Sequence, residues 1–182
     1  METSHTGRLL VASPLLGDPN FRRTVVLLLE HGQEGALGLV LNRPSDVVVS
    51  SLAPEWSGVT ARPGVLFVGG PVQQEAVLAL GLANAAGVEG FIPVVGRLGL
   101  ARGGEGAPGT QGLEEARLFA GYAGWGAGQL EEEISQQAWF VIDADPGDAL
   151  SLAPETLWSR VLRRQRGMLA LFSTYPEDPE LN

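Results

Sequence analysis

The chain has 182 residues, 45% hydrophobic and 18% charged, which suits one globular domain that buries a full core without metal or disulfide staples. A formal net charge of −9 opposes the phosphate contacts that give nucleic-acid binders their affinity, and opposes anionic membranes for the same reason. Cysteine is absent and every basic residue is arginine, so disulfides and thiolate sites are excluded and a codon bias accounts for the missing lysine.

Residues 1–7 are expected to form a flexible arm, and "METSHTGRLL" lacks the basic start and apolar stretch of a secretory signal. The apolar runs, such as Val25–Leu29, fall short of the roughly 20 residues needed to span a bilayer, so a soluble cytoplasmic protein is expected. Arg8–Ser13 reads as a strand, followed by the turn formers "GDPN". Thr24–Glu30 is apolar at consecutive positions, which predicts a central strand buried on both faces. "HGQEG" then makes a turn into "ALGLVLNRP", a third strand ended by Pro44, so Thr24–Asn42 reads as a hairpin.

"VLFVGGP", "AVLALGL" and "FIPVVGRLGL" are each read as a strand, and the glycine-rich stretch Gly99–Gly112 as a surface loop, either a lid or a passive connection. Leu113–Ala116 is read as a helical turn, Arg117–Trp125 as a strand, and the chain from Ala127 as a helix with Leu130 and Ile134 inward. "WFVIDAD" is a further strand. "PETLWSRVLRRQRG" is a helix, with Pro154 in its first turn, Leu157, Val161 and Leu162 on one stripe, and Gly167 as its stop. Residues 173–182 read as an acidic tail around a single domain of residues 8–172. Strands outnumber helices at hairpin-length spacings, so the expected class is α+β with a mostly antiparallel or mixed sheet.

The stretch "LFAGYAGWGAGQLEEE", Leu118–Glu133, sets four glycines and the rings of Tyr122 and Trp125 beside three glutamates. Strand alternation places Leu118, Ala120, Tyr122 and Gly124 on one face, with Phe119, Gly121, Ala123 and Trp125 on the other. The glycines admit either a ligand or a neighbouring backbone. A strand, glycine turn and helix start has the shape of a phosphate cradle, but Glu131, Glu132 and Glu133 would repel a phosphate there. The Walker pattern lacks its lysine, and the third position of G-x-G-x-x-G falls on Gln129. Nucleotides are therefore excluded, and the alternatives are a site or a plain arrangement of core rings and solvated glutamates.

Glu30 and His31 form a carboxylate–imidazole pair of the kind a general base needs, although a polar pair at a hairpin end has the same sequence. "LNRP" brings Asn42 and Arg43 to a strand exit, suited to gripping a carboxylate or phosphate. "FVGGPV" makes a second backbone turn at Gly69, Gly70 and Pro71. "DADPGD" fails as a calcium loop because Gly147 and Asp148 occupy the wrong positions, and with only His5 and His31 available zinc is excluded. No metal or other cofactor is expected.

Taken in order, "FRRTVVLLLEH", "GALGLVLNRP", "FVGGPV", "GYAGWGAGQLEEE" and "AWFVIDAD" resemble the AlgH/YqgE family of small bacterial proteins across about Leu9 to Leu162. The resemblance implies a cytoplasmic α+β domain with a bent, bifurcated sheet closing into a pseudo-barrel, helices packed outside, and a transcriptional-regulator label with no established enzyme activity. Carried onto this chain, the family's marked positions are Glu30, His31, Gly35, Gly38, Asn42, Pro44, Gly69, Gly70, Pro71, Gly121, Tyr122, Gly124, Trp125, Gln129, Leu130, Glu133 and Trp139. "QQEAVLAL" departs from the family pattern after "GGPV", lacking the charged residues and the Leu-His that follow there in many members.

Two functional expectations follow. The first is a binding or regulatory module that recognises a protein or small ligand in a cleft lined by Asn42, Arg43, Gly69, Gly70, Pro71, Tyr122, Trp125 and Gln129. The second is an enzyme of the hydrolase type, using Glu30 and His31 or the Glu131–Glu133 cluster. The negative charge weakens a direct DNA-binding role.

Overall fold

The computed structural model of the chain describes residues 3–102 and 109–177. These form strands β1 (Arg8–Ala12), β2 (Val25–Gly32), β3 (Gly35–Val40), β4 (Pro44–Val48), β5 (Val65–Val68), β6 (Val72–Ala83), β7 (Phe91–Val95), β8 (Leu98–Ala101), β9 (Leu113–Gly126) and β10 (Trp139–Asp143). The helices are α1 (Val49–Leu52), α2 (Gln129–Ser135), α3 (Leu157–Arg163) and α4 (Met168–Phe172). None is long and apolar enough to cross a membrane.

The main sheet runs β10-β1-β2-β3-β9-β6-β8-β7, with every neighbouring pair antiparallel. β2 is central to its half, as its unbroken apolar run predicts. One edge of β9 follows β6 between Leu113 and Tyr122. Its other edge passes from β5, paired in parallel at Phe119 and Ala120, to β3 at Ala123–Gly126. This change of partner along one strand is the bifurcation. Leu9 and Ile142 from one end of the path share an apolar cluster with Leu98 and Val94 from the other, so the sheet curls. The result is a single α+β domain built on a curled antiparallel half-barrel sheet with helices packed outside it.

Both faces of the β1–β3 half are buried, because alternate residues enter different clusters. Leu9, Val11, Leu27 and Leu39 meet Leu157, Trp158, Val161 and Leu162 of α3. Leu10, Ala12, Val26, Leu28 and Val40 meet Trp125, Trp139 and Leu130 under α2. Burial of these aliphatic side chains contributes on the order of 1.5–3 kcal/mol each, which helps short strands hold their register.

Several elements differ from the sequence reading. "FIPVVGRLGL" is two strands joined at Gly96 and Arg97, not one. Gly99–Ala101 belongs to β8 and Leu113–Ala116 to β9, so neither the glycine loop nor the helical turn has its expected bounds; residues 103–108 lie outside the described residues. Pro154–Thr156 forms a 3-10 turn before α3 begins. The expected alternation of β9 breaks at Gly121: Phe119 and Tyr122 pack on the same cluster, while Ala123 and Trp125 enter the one under α2. Gly121 adopts φ 71°, and a Cβ there would lie 2.6 Å from the Gly70 carbonyl oxygen. A Cβ on Gly70 would in turn lie 2.1 Å from the Tyr122 main chain. The glycines thus let two backbones touch.

Candidate functional site

His31 pairs with Ala36 across β2 and β3, and Ala36 pairs with Trp125 across β3 and β9. Cross-strand partners share a face, so His31 and Trp125 flank Ala36 in one row beneath α2. The register of β2 slips between Leu28 and Glu30, an irregularity that exchanges the faces of the residues beyond it. It turns His31 toward α2 and leaves Glu30 exposed opposite Leu37. α2 begins after Gly128, and the Gln129 side chain reaches back to accept the Gly126 N–H at 3.0 Å.

Two glutamates tie α2 down to this row. Glu131 Oε1 lies 2.6 Å from His31 Nε2, while Glu133 Oε2 accepts from the indole N–H groups of both Trp125 (2.8 Å) and Trp139 (2.9 Å). Gln129 Nε2 donates to the other Glu133 oxygen at 3.2 Å. Phe21 packs between the indoles, 6.0 Å from Trp125 and 5.6 Å from Trp139 by ring centroid. The glutamate triplet therefore divides: Glu131 and Glu133 act on the sheet, whereas Glu132 is exposed.

The N-terminal arm closes the other side of the imidazole. The His5 main-chain N–H donates to His31 Nδ1 at 3.0 Å, the His5 ring stacks on His31 at 5.2 Å, and Ser4 Oγ donates to the His31 carbonyl. Since Nδ1 accepts, Nε2 carries the proton and donates to Glu131. The His31 side chain is only 4% exposed, and both of its nitrogens are engaged. A main-chain N–H and the His31 hydrogen bond hold the Glu131 carboxyl below its usual range. Burial, then the neighbouring His31 and Arg8, push His5 below its usual value. Residues 4–7 are thus hydrogen-bonded to β2, with Gly7 N–H on the Leu28 carbonyl, where a flexible arm was expected. The carboxylate–imidazole pair is His31 with Glu131, not with Glu30.

The expected cleft residues occupy three places. Asn42 accepts from Val25 N–H and donates to the Arg23 carbonyl. Arg43 donates to the Pro19 and Arg22 carbonyls. These two border a cleft with Arg22, Arg23, Trp158 and Glu177, and the other six expected residues are not among its lining. Gly69 and Gly70 are buried against β9 beside Tyr122, Pro71 is exposed, and Trp125 and Gln129 belong to the Glu133 network.

"DADPGD" has a structural role. Asp145 and Asp148 cap the 3-10 turn Pro146–Leu150 reciprocally, and buried Asp148 takes both Arg164 nitrogens at 2.7 Å. No group of three or more His, Asp or Glu among the described residues is arranged to hold a metal ion.

Sequence reasoning missed Arg117, which is fully buried in β9. It donates to the Ala149 and Arg62 carbonyls and lies over the Phe67 ring at 4.2 Å. Burial pushes its guanidinium down to about 10. It also missed a groove of about 1000 Å³ between Pro14–Leu16, the end of α2, β10 and α4. Leu15 and Met168 stand 82% and 66% exposed at this groove. The available signal was "PLL", apolar residues that follow the end of the first strand and leave Leu15 exposed.

A family model described as "DUF179: AlgH-like" matches residues 9–170. A UPF0301 protein of Streptomyces avermitilis is 50% identical over 99% of this chain and 96% of its own length, and one of Thermobifida fusca is 44% identical over 98% and 96%. Among solved structures, protein DIP2367 of Corynebacterium diphtheriae is similar with a TM-score of 0.86 at 35% identity, covering 96% of this chain and 94% of that one. The solution structure of the AlgH protein of Pseudomonas aeruginosa gives a TM-score of 0.69 at 32% identity, covering 97% and 96%. With the family model spanning nearly the whole domain and half the residues shared with a full-length relative, the chain belongs to the AlgH/YqgE (UPF0301) family.

Proposed function

We propose that the protein is a cytoplasmic binding module, regulatory in role, that takes a segment of a partner protein into the groove beside β10. The observation that carries this reading is the exposure of Leu15 and Met168 at the mouth of a large apolar concavity. Exposed apolar side chains gathered round a concavity mark an interaction site more often than a solvated surface. The groove floor includes Phe140 and Phe172, stacked at 5.5 Å, with Trp139 beside them. Apart from His5 and the phenol of Tyr175 its lining carries no ionisable group, which suits an apolar segment rather than a nucleotide or metabolite anion.

Nile red, a neutral apolar probe, tests the reading. It is expected to gain fluorescence with the intact protein and to lose that gain in the Leu15→Asp/Met168→Asp variant, whose melting temperature stays near that of the parent. An unchanged signal in the variant would remove the groove from consideration.

A second reading, a hydrolytic enzyme, is favoured by the 2.6 Å contact of His31 with Glu131, since a carboxylate that orients an imidazole raises its competence as a base. It requires His5 to leave Nδ1 first. Turnover of model esters by a chain lacking residues 1–6, absent in its His31→Gln form, would support it.

A further inference from the structure

The turn between β1 and β2 ends in a strained residue. Arg23 has φ 55°, a left-handed conformation that is unfavourable for a residue with a Cβ. Its neighbours hold it there: Asn42 Nδ2 donates to the Arg23 carbonyl at 2.9 Å, and Arg43 Nη2 donates to the Arg22 carbonyl at 2.7 Å. The Arg23 guanidinium is set 4.1 Å over the Trp158 ring, with one nitrogen on the Tyr175 carbonyl. Arg22, Arg23 and Arg43 thus line one cleft of about 460 Å³ together with Pro19, Asn42 and Trp158. In a chain where acidic residues outnumber arginines by 21 to 12, none of these three arginines forms an ion pair with a carboxylate among the described residues. Glu155 and Glu177 also border the cleft, but both are exposed, where water and salt screen their charge.

Arg23 and Arg43 are half-buried, and burial pushes both guanidinium groups below their usual range. A cation that has given up water gains more from an anion than an exposed one does. Main-chain carbonyls occupy both terminal nitrogens of Arg43 and one of Arg23. The rest of the Arg23 fork and the whole Arg22 side chain make no hydrogen bond among the described residues, which leaves their donors for a ligand. We infer that this cleft binds a phosphomonoester, its phosphate held by Arg22 and Arg23 with the charge of Arg43 beside them. A carboxylate presents two oxygens in one plane, which a single guanidinium fork fills. A phosphomonoester carries close to two charges and three acceptor oxygens, which take donors from more than one arginine. The cleft is of a size to admit an organic group as well as the phosphate. It is distinct from the groove beside β10, which it meets at Tyr175.

The test is a titration of the full chain with phenyl phosphate at constant ionic strength, followed by NMR through the arginine Nε–H signals, with chloride and benzoate as comparisons. A phosphomonoester site predicts saturable shifts at Arg22 and Arg23, and binding about tenfold or more tighter for phenyl phosphate than for benzoate. Arg22→Gln alters an exposed side chain that the fold does not use, so it should weaken binding about tenfold or more at an unchanged melting temperature. Arg23→Lys keeps the charge and loses the fork, and should weaken binding as well. Equal affinity for benzoate would overturn the phosphate in favour of a carboxylate, and shifts that chloride reproduces would overturn the site. Phosphate binding that appears only in the Asp178→Asn/Glu180→Gln variant would name the acidic end of this chain as the occupant and overturn an external ligand. A pentapeptide with phosphotyrosine at its centre separates the two sources of such a group: tighter binding than phenyl phosphate supports the site and assigns it a modified protein, and equal or weaker binding supports the site and assigns it a small metabolite.

Discussion

Glu133 receives two indole N–H groups on one oxygen and an amide on the other, so Trp125 and Trp139 are held by both packing and a shared acceptor. Trp125 is 6% exposed; its replacement by alanine leaves a cavity and an under-used carboxylate, and costs about 3–5 kcal/mol. Glu132→Ala removes an exposed helix residue and changes stability by less than about 0.5 kcal/mol. Urea unfolding separates the two, and coincident midpoints would contradict the assignment. His5 and Glu131 set a pH dependence of one sign. The folded chain holds His5 below its ordinary value of about 6.5, favouring the neutral ring. The unfolded chain therefore binds that proton first, and the contribution is complete above pH 6.5 and lost as pH falls through the folded value. Glu131, also lowered, contributes above its usual carboxylate value and loses that contribution as pH falls further. Melting temperature should thus decline from pH 7 to pH 5 more steeply in the parent than in His5→Phe, which keeps a stacking ring without the titration. Parallel curves would exclude His5 as the cause.

Strands whose apolar runs were long or alternating were legible: β1, β2, β3, β5, β6 and β10 stand close to where composition puts them. What was not legible were the places where alternation resets. The register slip in β2 sends His31 rather than Glu30 to the α2 face, and the turn at Gly121 moves Tyr122 to the face of Phe119. Both depend on tertiary pairing and leave no periodic trace. Consequently His31 and Glu131 were singled out only in separate groups, Glu30/His31 and Glu131–Glu133, and the bond between them spans a hundred positions that no local pattern connects. The contacts of the arm leave no local trace either, because Ser4 and His5 reach across to His31 of β2. As an element the arm acts as a cover over His31. A chain beginning at Gly7 should expose Nδ1, and diethyl pyrocarbonate should then modify His31 about tenfold faster or more, as expected when a local opening step is removed. Mass spectrometry of the His31 peptide reads this out, and equal rates would show that Glu131 and α2 alone provide the protection.

At the scale of the whole molecule, the α+β class follows from strand spacing, but the half-barrel does not. It requires β9 to exchange β5 for β3 along one edge, and the parallel pairing of β5 with β9 joins segments about fifty residues apart. Charge, by contrast, is legible without any fold. Nine excess negative charges are spread over a surface whose arginines are partly committed: Arg117 is buried, Arg43 and Arg160 hold main-chain carbonyls, and Arg164 holds Asp148. Duplex DNA binding needs a contiguous set of cations that displace condensed counterions, each phosphate contact adding to the salt dependence. A chain with this balance should therefore show no sub-micromolar binding to random or promoter duplexes at physiological salt. Fluorescence anisotropy at two salt concentrations decides the matter: tight binding that weakens steeply with salt would support a direct contact with DNA, whereas flat anisotropy would leave the apolar groove beside β10 as the proposed binding surface.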